Sequence, residues 1–193
     1  MQPIKHAYSA SALFTALIVL GAYIRIPVPV VPFTLQFLFT NLAGLCLGRR
    51  YGFLAVMTYI LLGLVGLPVF TGGGGPAYIL QPTFGYIIGF ALGTGAAGWI
   101  CSRATSHRTC LTYVKAGMVN LSIVYALGLC WFYGVTRFIM GSAISIDTVL
   151  LYGFVFAVPG DLVLCGISTI MALRLDRLGL INRTALSKEA SLS

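Results

Sequence analysis

Charged residues are scarce in this sequence, and acidic residues are the scarcest of all. Only 8% of the 193 residues are charged, and Asp and Glu together number four. A water-soluble domain of this length would carry about 25% charged residues, so the composition excludes an ordinary soluble fold. Hydrophobic residues make up 59% of the chain, and the mean hydropathy is +0.96. The composition therefore predicts a polytopic membrane protein.

Organised sets of catalytic or metal-binding residues are also missing. The five cysteines form no CxxC pair and have no histidine at ligand spacing, which excludes a zinc site and a disulfide framework. The two histidines, His6 and His107, are isolated. The four acidic residues are too far apart in the predicted topology to form a catalytic pair. We therefore expect no catalytic residue, no metal and no cofactor, and a role in binding or transport rather than an enzyme activity.

Six apolar stretches predict membrane-spanning helices. They are separated by segments that cannot continue a helix, such as the proline-rich segment 27–32, because proline lacks a backbone donor. An apolar segment at 148–158 has only 11 residues, which suits an interfacial or re-entrant element. The predicted fold is all-α, with six transmembrane helices at residues 8–26, 33–47, 53–67, 83–100, 111–134 and 158–175. Residues 1–178 form a single integral-membrane domain, and 179–193 form a flexible tail.

Basic residues indicate how these helices are oriented. Of the 12 Lys and Arg residues, ten fall on the side that holds both termini, and only Arg25 and Arg137 fall on the other. Cytoplasmic loops carry the excess of Lys and Arg, so both termini are predicted to be cytoplasmic. The excess of Lys and Arg in cytoplasmic loops also explains the net charge of +8. Because these basic residues are spread over several loops, no nucleic-acid partner is indicated.

Asp161 is the carboxylate that stands out on the opposite, extracytoplasmic side. Residues 149–160 and 162–173 around it carry no charge. An ionisable group in such a setting is a functional-site hypothesis, because it costs roughly 3 kcal/mol or more at a helix centre. A structural alternative is that it offsets the dipole at the start of the sixth helix, next to Pro159. The tetraglycine run 72–75 falls on the same side and is either a lid over a ligand or a plain connector.

Other candidates for a binding site lie in or near the spans. Gln36 is polar, and Tyr86, Phe90 and Trp131 are aromatic. They either line a pocket for a small molecule, which is usually apolar with a few polar groups, or simply pack between helices and at the membrane interface.

The two outer cations also have two interpretations. Either Arg25 or Arg137 could hold a ligand carboxylate through a bidentate contact. Either could equally extend to the head groups of membrane lipids. We take Arg137 as the first candidate for the ligand.

Two helices carry small residues at four-residue spacing, which lets another helix approach closely. The fourth span has Gly85, Gly89, Gly93 and Ala97, and the first span has Ala12 and Ala16. The pair in the first span serves either internal packing or docking of a partner protein.

Six short motifs follow one another in an order typical of one family. They are Ile26-Pro27-Val28-Pro29 with Val31-Pro32-Phe33-Thr34-Leu35-Gln36, Asn41-Leu42-Ala43-Gly44 with Leu47-Gly48, Gly63-Leu64-Val65-Gly66-Leu67-Pro68-Val69-Phe70, Gly73 to Pro76, Pro82-Thr83-Phe84-Gly85-Tyr86 with Gly89-Phe90, and Val158-Pro159-Gly160-Asp161-Leu162. Over residues 8–178 the chain resembles BioY, the biotin-specific substrate-binding subunit of energy-coupling factor transporters.

The resemblance implies a function, partners and a location. It implies capture of biotin from outside the bacterial cytoplasmic membrane, with Asp161 matching the family's ligand-binding aspartate. It also implies docking, through Ala12 and Ala16, onto a transmembrane coupling subunit that works with two cytoplasmic ATPases. The chain itself would have no ATPase activity.

One position departs from the family pattern. Leu164 stands where the family usually has a lysine, three residues after the aspartate. A ligand carboxylate would then need another counter-charge, such as Arg137 or Arg25. A related vitamin or a lipoate-like acid remains an alternative ligand, and a stand-alone secondary transporter remains an alternative function.

Overall fold

The computed structural model describes residues 2–26, 33–104, 108–141 and 144–181, with side chains from residue 7 onward. The proline-rich segment 27–32, His107 and residues 182–193 of the predicted tail lie outside the described residues. The long helices are α1 (Gln2–Tyr23), α2 (Gln36–Leu64), α3 (Phe84–Arg103), α4 (Cys110–Gly134) and α6 (Val158–Arg177), and a short α5 spans Ile146–Leu150. The strands β1 (Arg25–Ile26) and β2 (Phe33–Thr34) form one antiparallel pair, and a 3-10 helix covers Pro76–Leu80.

Helix α2 folds back on itself at Gly48. This residue has φ 81° and ψ −170°, a conformation that glycine adopts without steric cost. A Cβ placed at Gly52 would lie 3.0 Å from the carbonyl oxygen of Ala43, whereas nine residues of straight helix would separate them by about 13 Å. The two arms, 36–47 and 49–64, are therefore antiparallel and correspond to two of the predicted spans. The turn is shorter than predicted, because Arg49 and Arg50 are already helical.

Helix α1 runs parallel to the second arm of α2. The hydroxyl of Ser11 donates to the carbonyl of Tyr51 at 3.1 Å, and the hydroxyl of Thr15 donates to that of Ala55 at 2.9 Å. The constant offset of 40 residues shows that both segments proceed in the same direction. Such hydroxyl-to-carbonyl bonds hold helices together where water is absent.

Helices α3 and α4 pack closely and in opposite directions. A Cβ added to Gly89 would lie 2.7 Å from Cα of Val124, and one added to Gly93 would lie 2.1 Å from Oδ1 of Asn120. Gly85 faces Trp131 in the same way. The predicted packing face of small residues is thus confirmed.

A buried polar group joins three helices in the middle of the bundle. The side-chain amide of Asn41 donates to the hydroxyl of Ser168 at 2.7 Å, and the amide of Asn120 donates to Oδ1 of Asn41 at 3.0 Å. All three side chains are fully buried. The group therefore fixes the relative positions of α2, α4 and α6.

The segment before α6 is helical. For the apolar residues 148–158 the sequence predicts an interfacial or re-entrant element. In the structure, α5 continues through a π-helical turn at Leu151–Val155, and α6 begins at Val158. A second π-helical turn, Val135–Ile139, extends α4.

Four helical stretches are long and apolar enough to cross a membrane: Gln36–Leu64, Phe84–Arg103, Cys110–Ile139 and Ile146–Arg177. The apolar part of α1, Ala7–Tyr23, is shorter. Many large apolar side chains on the outer surface are exposed, including Leu13 (60%) and Phe138 (81%). A helical bundle with such a surface suits a lipid environment.

Candidate functional site

A cavity lies at the end of the bundle where α2, α3 and α6 begin. Its empty space, with the open mouth included, is about 550 Å³. The lining is apolar and aromatic, with threonines, one amide and one carboxylate. The lining residues are Phe33, Thr34, Gln36, Phe37, Thr71, Thr83, Tyr86, Ile87, Phe90, Val124, Tyr125, Ala157 and Asp161.

Asp161 contributes the carboxylate. The side chain is 9% exposed and accepts a 2.6 Å hydrogen bond from the hydroxyl of Tyr125. Its backbone N–H donates to the carbonyl of Ala157, and the start of α6 has no side-chain cap. Because the carboxylate bonds to another helix instead of capping its own, the helix-start alternative does not account for where it points. Within the described residues it has no ion-pair partner, so a ligand that offers hydrogen-bond donors would offset the cost of its burial.

Tyrosine rings form one wall next to this carboxylate. The rings of Tyr86 and Tyr125 meet edge to face at 6.0 Å, and Tyr125 meets Phe154 in the same way at 5.2 Å. The hydroxyl of Tyr86 donates to the carbonyl of Gly153 at 2.8 Å. The π-helical turn before α6 is thereby attached to α3 and α4 and supports the wall from behind.

Gln36 and Phe90 belong to the same cavity. Gln36 is 3% exposed, and its side-chain amide donates to the hydroxyl of Tyr59 at 2.7 Å. Phe90 is buried one helical turn beyond Tyr86 on α3, as expected for residues four apart. Both residues are thus held by the helices that frame the cavity.

The tetraglycine run folds onto the rim. The N–H of Gly75 donates to the carbonyl of Gly63 at 2.7 Å, and Phe70 and Gly73 exchange backbone hydrogen bonds. The ring of Phe70 fills the space above Gly63, where a Cβ would lie 2.0 Å from the ring. This arrangement brings Thr71, the residue before the run, into the cavity lining, whereas none of the four glycines is among the described lining residues.

Two of the six predicted ligand residues lie outside the lining. Trp131 packs against the ring of Phe84, with 5.9 Å between centroids, and covers Gly85. Arg137 is exposed on the π-helical turn after α4. The other four, Asp161, Tyr86, Phe90 and Gln36, line the cavity together.

Tyr125 is the partner of Asp161 in the lining, and sequence reasoning missed it. A buried tyrosine hydroxyl usually has a hydrogen-bond partner, and Asp161 is the carboxylate that the sequence offers within apolar surroundings. The need of a buried tyrosine hydroxyl for a partner was the one feature of the sequence that pointed to a bond between Tyr125 and Asp161. The threonines Thr71 and Thr83 lie in segments whose folding the sequence does not specify.

Ala12 and Ala16 lie on a different face of α1 from its internal contacts, about 100° around the helix from Ser11 and Thr15. Both are exposed, whereas Ser11 and Thr15 face α2 and are buried. Internal packing therefore does not explain the alanine pair within the described part of the chain.

Comparison with known proteins places this architecture among vitamin transporters. A model described as the BioY family matches residues 4–180. A probable biotin transporter BioY from Lysinibacillus sphaericus is 45% identical over 164 residues, which are 85% of this chain and 83% of that protein. The biotin transporter BioY from Thermotoga maritima is 41% identical over 170 residues, 87% and 94% of the two chains.

A solved structure agrees with these relatives. The crystal structure at 2.1 Å of the S-component for biotin from an ECF-type ABC transporter matches with a TM-score of 0.79 and 27% sequence identity. The match covers 92% of this chain and 95% of that one. The family match extends over nearly the whole bundle, including the cavity and α1, and the chain therefore belongs to the BioY family.

Proposed function

We propose that this chain captures biotin at the extracytoplasmic side of the bacterial cytoplasmic membrane, as the substrate-binding subunit of an ATP-driven energy-coupling factor transporter. One observation carries the proposal. Among the described lining residues a single carboxylate, Asp161, faces a cavity that is otherwise uncharged and rich in aromatic side chains.

The chemistry of biotin fits this lining. Its ureido group presents two N–H donors, and a carboxylate can accept a hydrogen bond from each of them. Tyr125 uses one acceptor position on Asp161 and leaves others for the ligand. The sulfur-containing ring and the aliphatic chain of biotin need apolar contacts, which Tyr86 and Phe90 can provide, and Gln36 adds a polar group. Trp131 acts indirectly by supporting Phe84 and Gly85.

The two arms of α2 support a topology of six membrane-spanning helices. Counted separately, together with α1, α3, α4 and α6, they would make six crossings in a single domain of residues 1–178. The ten Lys and Arg residues that the sequence assigns to the side of the termini favour cytoplasmic termini. The cavity, with Arg25 and Arg137 at its end of the bundle, then opens to the outside.

The outward face of α1 suits a protein partner. Ala12 and Ala16 offer a small-xxx-small surface at which another helix can pack closely. We assign this surface to the transmembrane coupling subunit, which acts with two cytoplasmic ATPases. The remaining outer surface contacts lipid, and this chain performs no catalysis.

Binding of biotin by the purified protein tests the proposal. Wild-type protein in detergent should bind biotin, and Asp161→Asn should weaken binding tenfold or more, or about 1.4 kcal/mol. Asp147→Asn is the matched control, because Asp147 is an exposed aspartate at the start of α5. Tighter binding of lipoate than of biotin, or equal affinity in Asp161→Asn, would contradict the proposal.

A further inference from the structure

The charge of the cavity restricts how an acidic ligand can lie in it. Asp161 is the charged residue among the described lining residues, and no Lys, Arg or His is among them. The segments 27–32 and 142–143 also contain no basic residue. Leu164, one turn after Asp161, is 6% exposed and packs in the apolar core. A ligand carboxylate next to Asp161 would therefore meet a like charge without a nearby cation, which is unfavourable.

Arg25 is the cation whose contacts reach the lining. Its guanidinium donates to the carbonyl of Thr71, and its backbone pairs with Thr34 across β1 and β2. Both Thr71 and Thr34 line the cavity. Arg25 is itself exposed, so it lies at the mouth and not in the depth. In the described part of the chain, the side chain of Arg137 makes no hydrogen bond to a residue that lines the cavity.

We propose that the ligand carboxylate lies at the mouth beside Arg25, with the ureido end at Asp161, and that the site consequently also takes biotin amides as ligands. The inference rests on the proposed function. A guanidinium has five N–H donors, and the contact with Thr71 leaves others for a carboxylate. An exposed pair of this kind contributes little to affinity, because water surrounds both charges. Loss of the carboxylate charge therefore costs only a few-fold in affinity.

The test compares biotin with its N-methyl amide on three purified proteins. The wild type should bind the amide within about tenfold of biotin. Arg25→Gln, which keeps a donor for the carbonyl of Thr71, should lower the affinity for biotin to that for the amide and leave the amide unchanged. Arg137→Gln should change neither. Raising the salt concentration should weaken the binding of biotin more than that of the amide in the wild type and in Arg137→Gln, but not in Arg25→Gln, because salt screens exposed charge pairs.

The other outcomes overturn the inference. A wild-type preference for biotin of more than a hundredfold would mean that a cation holds the carboxylate inside the site. Equal losses for both ligands in Arg25→Gln, at an unchanged unfolding temperature, would mean that Arg25 acts only by holding the rim. A biotin-selective loss in Arg137→Gln would assign the carboxylate to Arg137. Failure of the wild type to bind either ligand would overturn the proposed function itself, and this inference with it.

Discussion

The hydroxyl of Tyr125 donates a 2.6 Å hydrogen bond to Oδ2 of Asp161, and both side chains line the cavity. The bond joins α4 to the first turn of α6. A carboxylate has about four lone-pair positions, so one bond from tyrosine orients the group without saturating it. Tyr125 is therefore a positioning residue for the proposed ligand contact.

Tyr125→Phe should weaken biotin binding by roughly tenfold or more. A hydrogen bond to a charged group contributes about 1.5–3 kcal/mol, and a tenfold change in affinity corresponds to about 1.4 kcal/mol. The phenyl ring keeps its contacts with Tyr86 and Phe154, so the fold should be retained. Isothermal titration of biotin into the purified variant measures the effect.

Tyr113→Phe provides the control for that substitution. Tyr113 lies in α4 as well, is fully buried and is not among the described residues that line the cavity. Its removal should leave biotin affinity unchanged. If Tyr125→Phe bound biotin like the wild type while Asp161→Asn did not, another group would have to orient Asp161.

Part of the cavity could be predicted from the sequence, for reasons that the structure makes clear. Asp161 stands out because a lone carboxylate in apolar sequence is costly. Tyr86 and Phe90 are four residues apart in a helix and so share a face. The partnership of Asp161 with Tyr125 could not be predicted, because it links residues 36 apart in different helices.

The two candidates outside the lining illustrate a second limit. Hydropathy locates a span but does not tell which face of it turns toward a cavity. Trp131 follows Tyr125 by six residues, and at about 100° per residue this places it about 120° away around α4. Arg137 lies beyond the helix, on a π-helical turn whose geometry composition does not encode.

The fold, like the cavity, could be predicted from the sequence only in part. The apolar runs predicted α3 and α4 closely, at 83–100 against Phe84–Arg103 and 111–134 against Cys110–Gly134. For residues 148–158 the structure shows a helical segment, in which α5 and its π-helical turn lead to α6. A run of 11 apolar residues gives the length of a segment, but it does not tell how the segment is connected to the helices before and after it.

Gly93→Ala should destabilise the protein, whereas Gly95→Ala should not. A Cβ at Gly93 would lie 2.1 Å from Oδ1 of Asn120, but a Cβ at Gly95 would lie 3.6 Å from Phe53, an ordinary contact. Overpacking of a tight interface costs about 1–3 kcal/mol. Thermal unfolding of the detergent-solubilised variants should show a lower midpoint for Gly93→Ala alone. Equal midpoints would mean that α3 and α4 are less closely packed at this point.

Asn41→Ala should also lower stability without a large change in affinity. The side chain of Asn41 bonds to both Ser168 and Asn120 and does not line the cavity. Polar contacts between membrane helices contribute about 0.6 kcal/mol on average and up to about 1.7 kcal/mol. The unfolding midpoint should fall, while the dissociation constant for biotin stays within a few-fold of the wild type.

Ser122→Ala is the control for Asn41→Ala. Its hydroxyl is exposed and donates to the carbonyl of Met118 in its own helix, so its loss should not shift the midpoint. A drop in the unfolding midpoint as large as that of Asn41→Ala would show that hydrogen bonds between helices contribute no more to stability than a hydrogen bond within one helix.

Replacing both Ala12 and Ala16 by tryptophan should abolish biotin uptake and spare biotin binding. Both side chains are exposed on α1, so large rings there should not disturb the cavity, but they would prevent the close helix approach that a small-xxx-small face permits. Uptake is measured in vesicles or cells that contain the coupling and ATPase subunits, and binding is measured on the isolated chain. Ala126→Trp is the control, because Ala126 is an exposed alanine on α4 and should tolerate tryptophan in both assays. Loss of binding in the double variant would instead make the alanine pair a structural feature of the bundle, and normal uptake would move the docking surface to another face.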